Sequence, residues 1–257
     1  MEYSQVKRVT EYCFSRLRNE MADRPFLLLP VSALEPFGNI PLGAICRLND
    51  TICEELCRRA DLFLAPSFAY GYSTPFISFP GCSGLHSATM ERSLFDCCSA
   101  WFFHGFKRII LVTCSMNGAA GIEPAVQRLN HHRRFRNSVQ LFSLQDDIFF
   151  RTLCEEKSAV KEVGRNEWGL LVMMEYKHVV SGHGKMESEV IVPDHTALKR
   201  WQKCGRDPEK LKKMAPHALF NHPVTGHGDA GRELYSMVIN HFQEKITAFL
   251  VEGIHAA

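Results

Sequence analysis

Short apolar, β-rich runs that alternate with stretches of helical spacing limit what this chain can fold into. The runs are FLLLPV at residues 26–31, DLFLAP at 61–66, KRIILVT at 107–113 and SVQLFSL at 138–144. Such short continuous runs suit strands covered on both faces, because a half-solvated strand alternates apolar and polar residues. Helix candidates lie at 3–20, 50–60, 87–104, 118–132 and 231–251. Asp50 or Thr51 is the expected N-cap of the second, and Gly105 the stop after the third. Strand and helix in alternation imply right-handed crossovers and a mostly parallel sheet between helical layers. The expected architecture is a three-layer α/β/α sandwich, with residues 1–257 forming one domain.

Composition narrows the function classes. Apolar residues make up 46% and charged residues 23% of the 257, close to a soluble globular average. The formal net charge of +2 gives no global field to hold a polyanion, so no nucleic-acid partner is expected. Two basic stretches, RLNHHRRFR at 128–136 and a second at 199–213, read as solvated helix ends or loops. No apolar run reaches the roughly 20 residues that a bilayer requires. The opening MEYSQVKRVTEYCF has no secretory apolar region, so a cytoplasmic protein with no membrane partner is expected. Ten cysteines are scattered without a CxxC pair and are expected to be reduced, mostly buried thiols.

In sheets of this kind, functional residues gather on loops at the carboxyl ends of the strands. Residues 32–49, 67–83 and 114–121 form such loops, rich in Gly, Pro, Ser or Asn. They also carry ordered motifs. LLPVSALEPFGNIPLG resembles G-S-x-E-Q-H-G-x-H-L-P-L-x-T-D, the opening motif of the creatininase (creatinine amidohydrolase) family. APSFAYGYSTPFISFPGCSGL resembles that family's P-x-x-Y-G-x-S and F-P-G-T, and HGFKRIILVTCSMNGAAG resembles H-G-F-x-R-I-x-x-V-N-G-H-G-G-N. SGHGKMESEVIV and TGHGDAGRELYSMVINHF are similar to a fourth and a closing motif. The five segments span roughly residues 26–242, a signal specific for family and fold and weaker for activity.

The resemblance implies two divalent metals held between carboxylates and imidazoles, which polarise an amide carbonyl and supply hydroxide. Carried over residue by residue, the opening glutamate is Glu35 and the histidine after it becomes Phe37. The aspartate falls on Ile45 or Cys46, the N-G-H histidine on Ser115, and an acidic position on Asn117. His183 is kept, and Glu187 matches once one residue is deleted before it. The family's binuclear centre is therefore not expected. The expected cofactor is none, or one divalent ion (Zn, Fe or Mn) on Glu35 and Cys46, with Cys114, His183 and Glu187 as further donors of a rewired thiolate site.

Other roles keep two readings. Glu35 is either a surviving metal ligand or a loop carboxylate that accepts backbone N–H bonds. Catalytic candidates are His183, Glu187 and Cys82, the last a nucleophile with His183 as base or else an inert thiol. Phe37, Tyr70, Tyr72, Ser115 and Asn117 are candidates for lining a substrate pocket. The aromatic loop at 68–79 serves either such a pocket or a subunit interface. His86, His104, His227 and Asp229 read as structural. By resemblance the protein is a homo-oligomer, a hexamer in the family. The function is either a divergent hydrolase of an amide or other C–N bond in a small molecule, or an inactive relative. The inactive relative would act as a scaffold, a regulatory subunit of a partner enzyme, or a small-molecule-binding protein.

Overall fold

The computed structural model describes residues 5–38, 40–158, 165–180, 207–216, 218 and 228–254. Among these residues five strands form one parallel sheet: β1 (Lys7–Arg8), β2 (Phe26–Pro30), β3 (Phe63–Leu64), β4 (Arg108–Thr113) and β5 (Val139–Ser143). Their spatial order is β1-β3-β2-β4-β5. All four apolar runs lie in this sheet. β1 was not foreseen, because its two residues are polar and carry no apolar run. The helix expected at 3–20 is shorter, α1 (Phe14–Asp23), and a 3-10 turn at Val9–Glu11 precedes it.

Side chains alternate strictly across the sheet. Leu28, Leu64, Ile110 and Val112 point into one apolar cluster, shared with α2 (Ala44–Ala60), α5 (Ile148–Lys157), α6 (Arg165–Tyr176) and α8 (Gly228–Ile254). Leu27, Leu29, Phe63, Ile109 and Leu111 point into a second, shared with α1, α3 (Ser87–Phe103) and α4 (Gly118–His131). Each fully buried Leu or Ile contributes about 1.5–3 kcal/mol, so the two faces together hold the layers. A third cluster joins Phe76 and Phe79 to α7 (Pro208–Met214) through Leu211.

Two expectations are corrected by α2 and α6. Helix α2 starts at Ala44, not at 50, because Ile45, Leu48, Asn49, Ile52, Cys53 and Leu56 form one buried stripe of helical spacing. Asp50 and Thr51 are therefore inside the helix and cap nothing. Asp50 instead accepts from Ser67 Oγ at 2.6 Å, and Thr51 Oγ1 donates to the Arg47 carbonyl at 2.7 Å. The sequence reading passed over α6, because Trp168, Leu170, Val172, Met173 and Met174 are all buried and leave little amphipathic signal. Gly231 lets α8 approach it, since a Cβ there would lie 2.1 Å from the Val172 carbonyl oxygen.

Two polar devices finish the layers. Asn130 on α4 meets Val139 on the edge strand, donating to its carbonyl at 2.8 Å and accepting its N–H at 2.9 Å. Asp147 caps α5 by accepting the Phe150 N–H at 3.1 Å. It also accepts from Lys245 Nζ at 2.8 Å, with His241 Nε2 3.3 Å away. Burial pushes this carboxyl up, but Lys245 and the Phe150 N–H outweigh it and hold the group below its ordinary value. Asp147→Ala is expected to cost about 2 kcal/mol at pH 7. A depressed carboxyl stabilises the fold above the unfolded pKa of about 3.9, and the contribution is lost as pH falls through the lower folded value. Urea denaturation of both proteins should therefore show the deficit at pH 7 and its shrinkage below about pH 3.9.

Candidate functional site

The carboxyl ends of β2 and β4 set the site, because their parallel pairing delivers two loops side by side. The loop after β2 is held to the 67–86 segment by backbone bonds. Ser32 N–H donates to the Phe68 carbonyl at 2.9 Å, and Gly71 N–H donates to the Ser32 carbonyl at 2.7 Å. Gly71 is required there, since a Cβ would lie 2.6 Å from the Ser32 oxygen. An antiparallel bridge between Leu34 and Ser83 ties the next step.

Ala33 is where the three segments meet. Its N–H donates to Ser115 Oγ at 3.2 Å, and its carbonyl accepts from Cys46 Sγ at 3.3 Å. Two residues later, Glu35 accepts the Met116 N–H on Oε2 at 2.9 Å. Met116 and Asn117 lead directly into α4, so the carboxyl sits at a helix N-terminus, where N–H groups face outward. Glu35, Cys46, Ser115 and Asn117 are thus brought together, as their matched positions in the family motifs imply.

The electrostatics are those of a closed site. Glu35 is 1% exposed, and its Oε1 has no partner among the described residues. Burial pushes its carboxyl up to about 8, against the pull of the Met116 and Asn117 N–H groups. It is therefore largely protonated at pH 7. Burial, with Asp50 and Glu35 nearby, pushes the Cys46 thiol up to about 11. Cys82 is also pushed up to about 11 by burial, with Glu35 adding to the shift. Both are thiols rather than thiolates at neutral pH.

The remaining candidates are placed as follows. Phe37 is buried in the core cluster with Ile45 and Cys114. Tyr72 is buried against α4, where a Cβ on Gly121 would lie 2.2 Å from the tyrosine Cβ. Tyr70 is 61% exposed and faces solvent, not an enclosed pocket. Phe76 and Phe79 pack onto α7 with Cys82 at their edge. His183 and Glu187 lie outside the described residues. Among the described residues, no group of three or more His, Cys, Asp or Glu side chains is disposed to hold a metal ion.

One important residue was missed. Asn49 is buried, and its Nδ2 lies 3.0 Å from Ser32 Oγ, 3.2 Å from the Val112 carbonyl and 3.4 Å from the Val31 carbonyl. It pins α2 to the ends of β2 and β4. Its signal was available: a lone amide in an otherwise apolar stripe, hidden once residues 44–49 were assigned to a loop.

This fold is that of creatininases. A crystal structure of creatinine amidohydrolase (creatininase) superposes with a TM-score of 0.76 at 17% identity, covering 95% of this chain and 97% of that one. Creatininase Mn superposes with a TM-score of 0.69 at 18% identity, covering 94% and 99%. The chain belongs to the creatininase family, whose model, described as creatinine amidohydrolase, matches residues 11–246. Creatinine amidohydrolase of Pseudomonas putida is 29% identical over 115 residues, which span 41% of this chain and 44% of that protein.

A raised carboxyl pKa has a definite sign. The stability contribution of Glu35 is intact below the unfolded value near 4.3 and is lost as pH rises through about 8. Glu35→Gln removes that dependence. In chelator-treated protein, the difference in unfolding free energy between variant and wild type should move toward the variant from pH 5 to 8. The slope should be up to about 1.4 kcal/mol per pH unit, and parallel stability curves would show that Glu35 does not titrate in this range.

Proposed function

We propose that the protein is a divergent hydrolase of an amide or other C–N bond in a small molecule, working from a site that differs from a binuclear metal centre. One observation supports this reading: Glu35, Cys46 and Ser115 meet around Ala33 and the start of α4, yet most of the side chains gathered there offer no free anionic donor. The Ser115 hydroxyl accepts the Ala33 N–H, the Cys46 thiol donates a hydrogen bond to the Ala33 carbonyl, and Phe37 lies in the core. Neutral hydroxyl and amide groups do not balance two buried divalent charges. The donors present do not fit a two-metal centre.

A single divalent ion, Zn, Fe or Mn, would be held by Glu35 and Cys46 with His183 completing the set, and both acids would have to give up the protons that burial favours, Cys46 also its bond to the Ala33 carbonyl. Such an ion would polarise the scissile carbonyl. Without an ion, the protonated Glu35 carboxyl, whose Oε1 has no partner among the described residues, would give a proton to a leaving nitrogen. His183 and Glu187 are the proposed bases. Cys82 fits an inert thiol better than a nucleophile, because burial keeps it protonated. A homo-oligomer remains the expected assembly.

A second reading is a catalytically inactive scaffold, regulatory subunit or ligand-binding protein. It is favoured by the burial of Phe37 and by how completely Glu35 is enclosed. Two measurements separate the readings. Plasma mass spectrometry on protein purified without chelator should give no more than one metal equivalent per chain, and two equivalents would overturn the altered-site reading. Assayed on a panel of linear and cyclic amides that includes creatinine, the protein should hydrolyse at least one, and Glu35→Gln should lower that rate by roughly 100-fold. A folded protein inactive on the whole panel would favour the scaffold.

A further inference from the structure

The opposite end of the sheet carries a feature that the hydrolase reading does not use. Between α4 and β5 the chain runs H-H-R-R-F-R at residues 131–136. Phe135 is buried, its ring stacked on Phe102 at 4.7 Å and on His132 at 4.7 Å. Backbone bonds from Phe135 N–H to the His132 carbonyl (2.9 Å) and from Ser138 N–H to the Phe135 carbonyl (3.1 Å) fix the turn. A pinned loop of this kind has little backbone freedom left to lose on binding, while its long side chains keep theirs until a partner orders them. Those side chains belong to Arg133, Arg134 and Arg136, all exposed.

Nearby cations are already engaged. Arg128 pairs with Glu91 and lies over the Phe95 ring, and Arg108 donates to the Asn137 carbonyl at 2.9 Å. The guanidinium groups of Arg133, Arg134 and Arg136 have no carboxylate partner among the described residues. Like charges this close repel one another, which costs stability unless an anion is bound. The end of α3 packs on this loop through the Phe102 ring stacked on Phe135, and the last residue of that helix, Phe103, is 71% exposed.

We propose that this face docks an acidic segment of another protein, whose carboxylates pair with Arg133, Arg134 and Arg136 while a neighbouring apolar side chain covers Phe103. Arginine forks match carboxylates in two-point pairs, which gives direction as well as charge. Two features favour a short acidic peptide over a nucleic acid. The net charge of the whole chain is only +2. An exposed phenylalanine also suits an aliphatic partner side chain. Because the face lies at the amino ends of the strands, a bound partner leaves the Glu35 end open.

The test is fluorescence anisotropy with a labelled peptide of alternating glutamate and leucine, run against an oligothymidine strand of equal charge. The intact protein should bind the peptide more tightly than the oligonucleotide, and the affinity should fall as salt is raised. The triple variant Arg133→Ser, Arg134→Ser, Arg136→Ser should weaken peptide binding by roughly tenfold or more, and Phe103→Ser by roughly threefold or more. The altered side chains are exposed, and circular dichroism checks the fold. Hydrolysis and metal content, which report on the Glu35 end, should not change, so failure here is distinguishable from failure of the hydrolase reading. No peptide binding, binding indifferent to salt or to the substitutions, or tighter binding of oligothymidine would each overturn the proposal.

Discussion

The pairing of β2 with β4 is the constraint on which the rest of this structure depends. Residues 26–30 run in register with 108–112, and both strands are covered by helices on their two faces. Buried backbone has no water to fall back on, so the ladder fixes the register firmly. That register places the residues after Pro30 beside those after Thr113. The Ala33 to Ser115 bond and the Glu35 to Met116 bond both follow from it. Asn49 reinforces the same junction from α2 by reaching the carbonyls of Val31 and Val112.

At this junction two opposing effects act on one carboxyl group. The N–H groups opening α4 favour a negative charge on Glu35, while burial disfavours it, and burial wins. Polar residues around it are engaged with backbone: Ser115 with the Ala33 N–H, Cys46 with the Ala33 carbonyl. An interior of this kind tolerates a neutral acid better than a cluster of anions.

Much of the fold was legible because continuous apolar runs can hardly be anything but covered strands between helices. Leu27 to Leu29 and Ile109 to Val112 supply both faces, and that pattern is visible in the letters. The start of α2 was not legible, because a turn rich in Pro and Gly at 41–43 masked the stripe that begins at Ala44. Helix α6 was hidden by being apolar on several sides. At the site, motif matching pointed to the loops after β2 and β4, which do meet around Ala33, while His183 and Glu187 lie outside the described residues. It could not show that Phe37 packs into the core or that Tyr70 faces outward, since an aromatic letter does not say which way its ring points. Asn49 was missed for a related reason: its role comes from acceptors on two segments far apart in the chain, at 31–32 and at 112.

Strand β5 closes one side of the sheet, and its outer rim would ordinarily offer unsatisfied N–H and C=O groups to any passing chain. The Asn130 side chain occupies both such groups of Val139, imitating the next strand with a single amide. The consequence is protection against self-templating. An incoming segment cannot propagate pairing past this residue without first displacing a pair of hydrogen bonds anchored to a helix, so the rim is a poor seed for fibrils or for swapping of strands between copies.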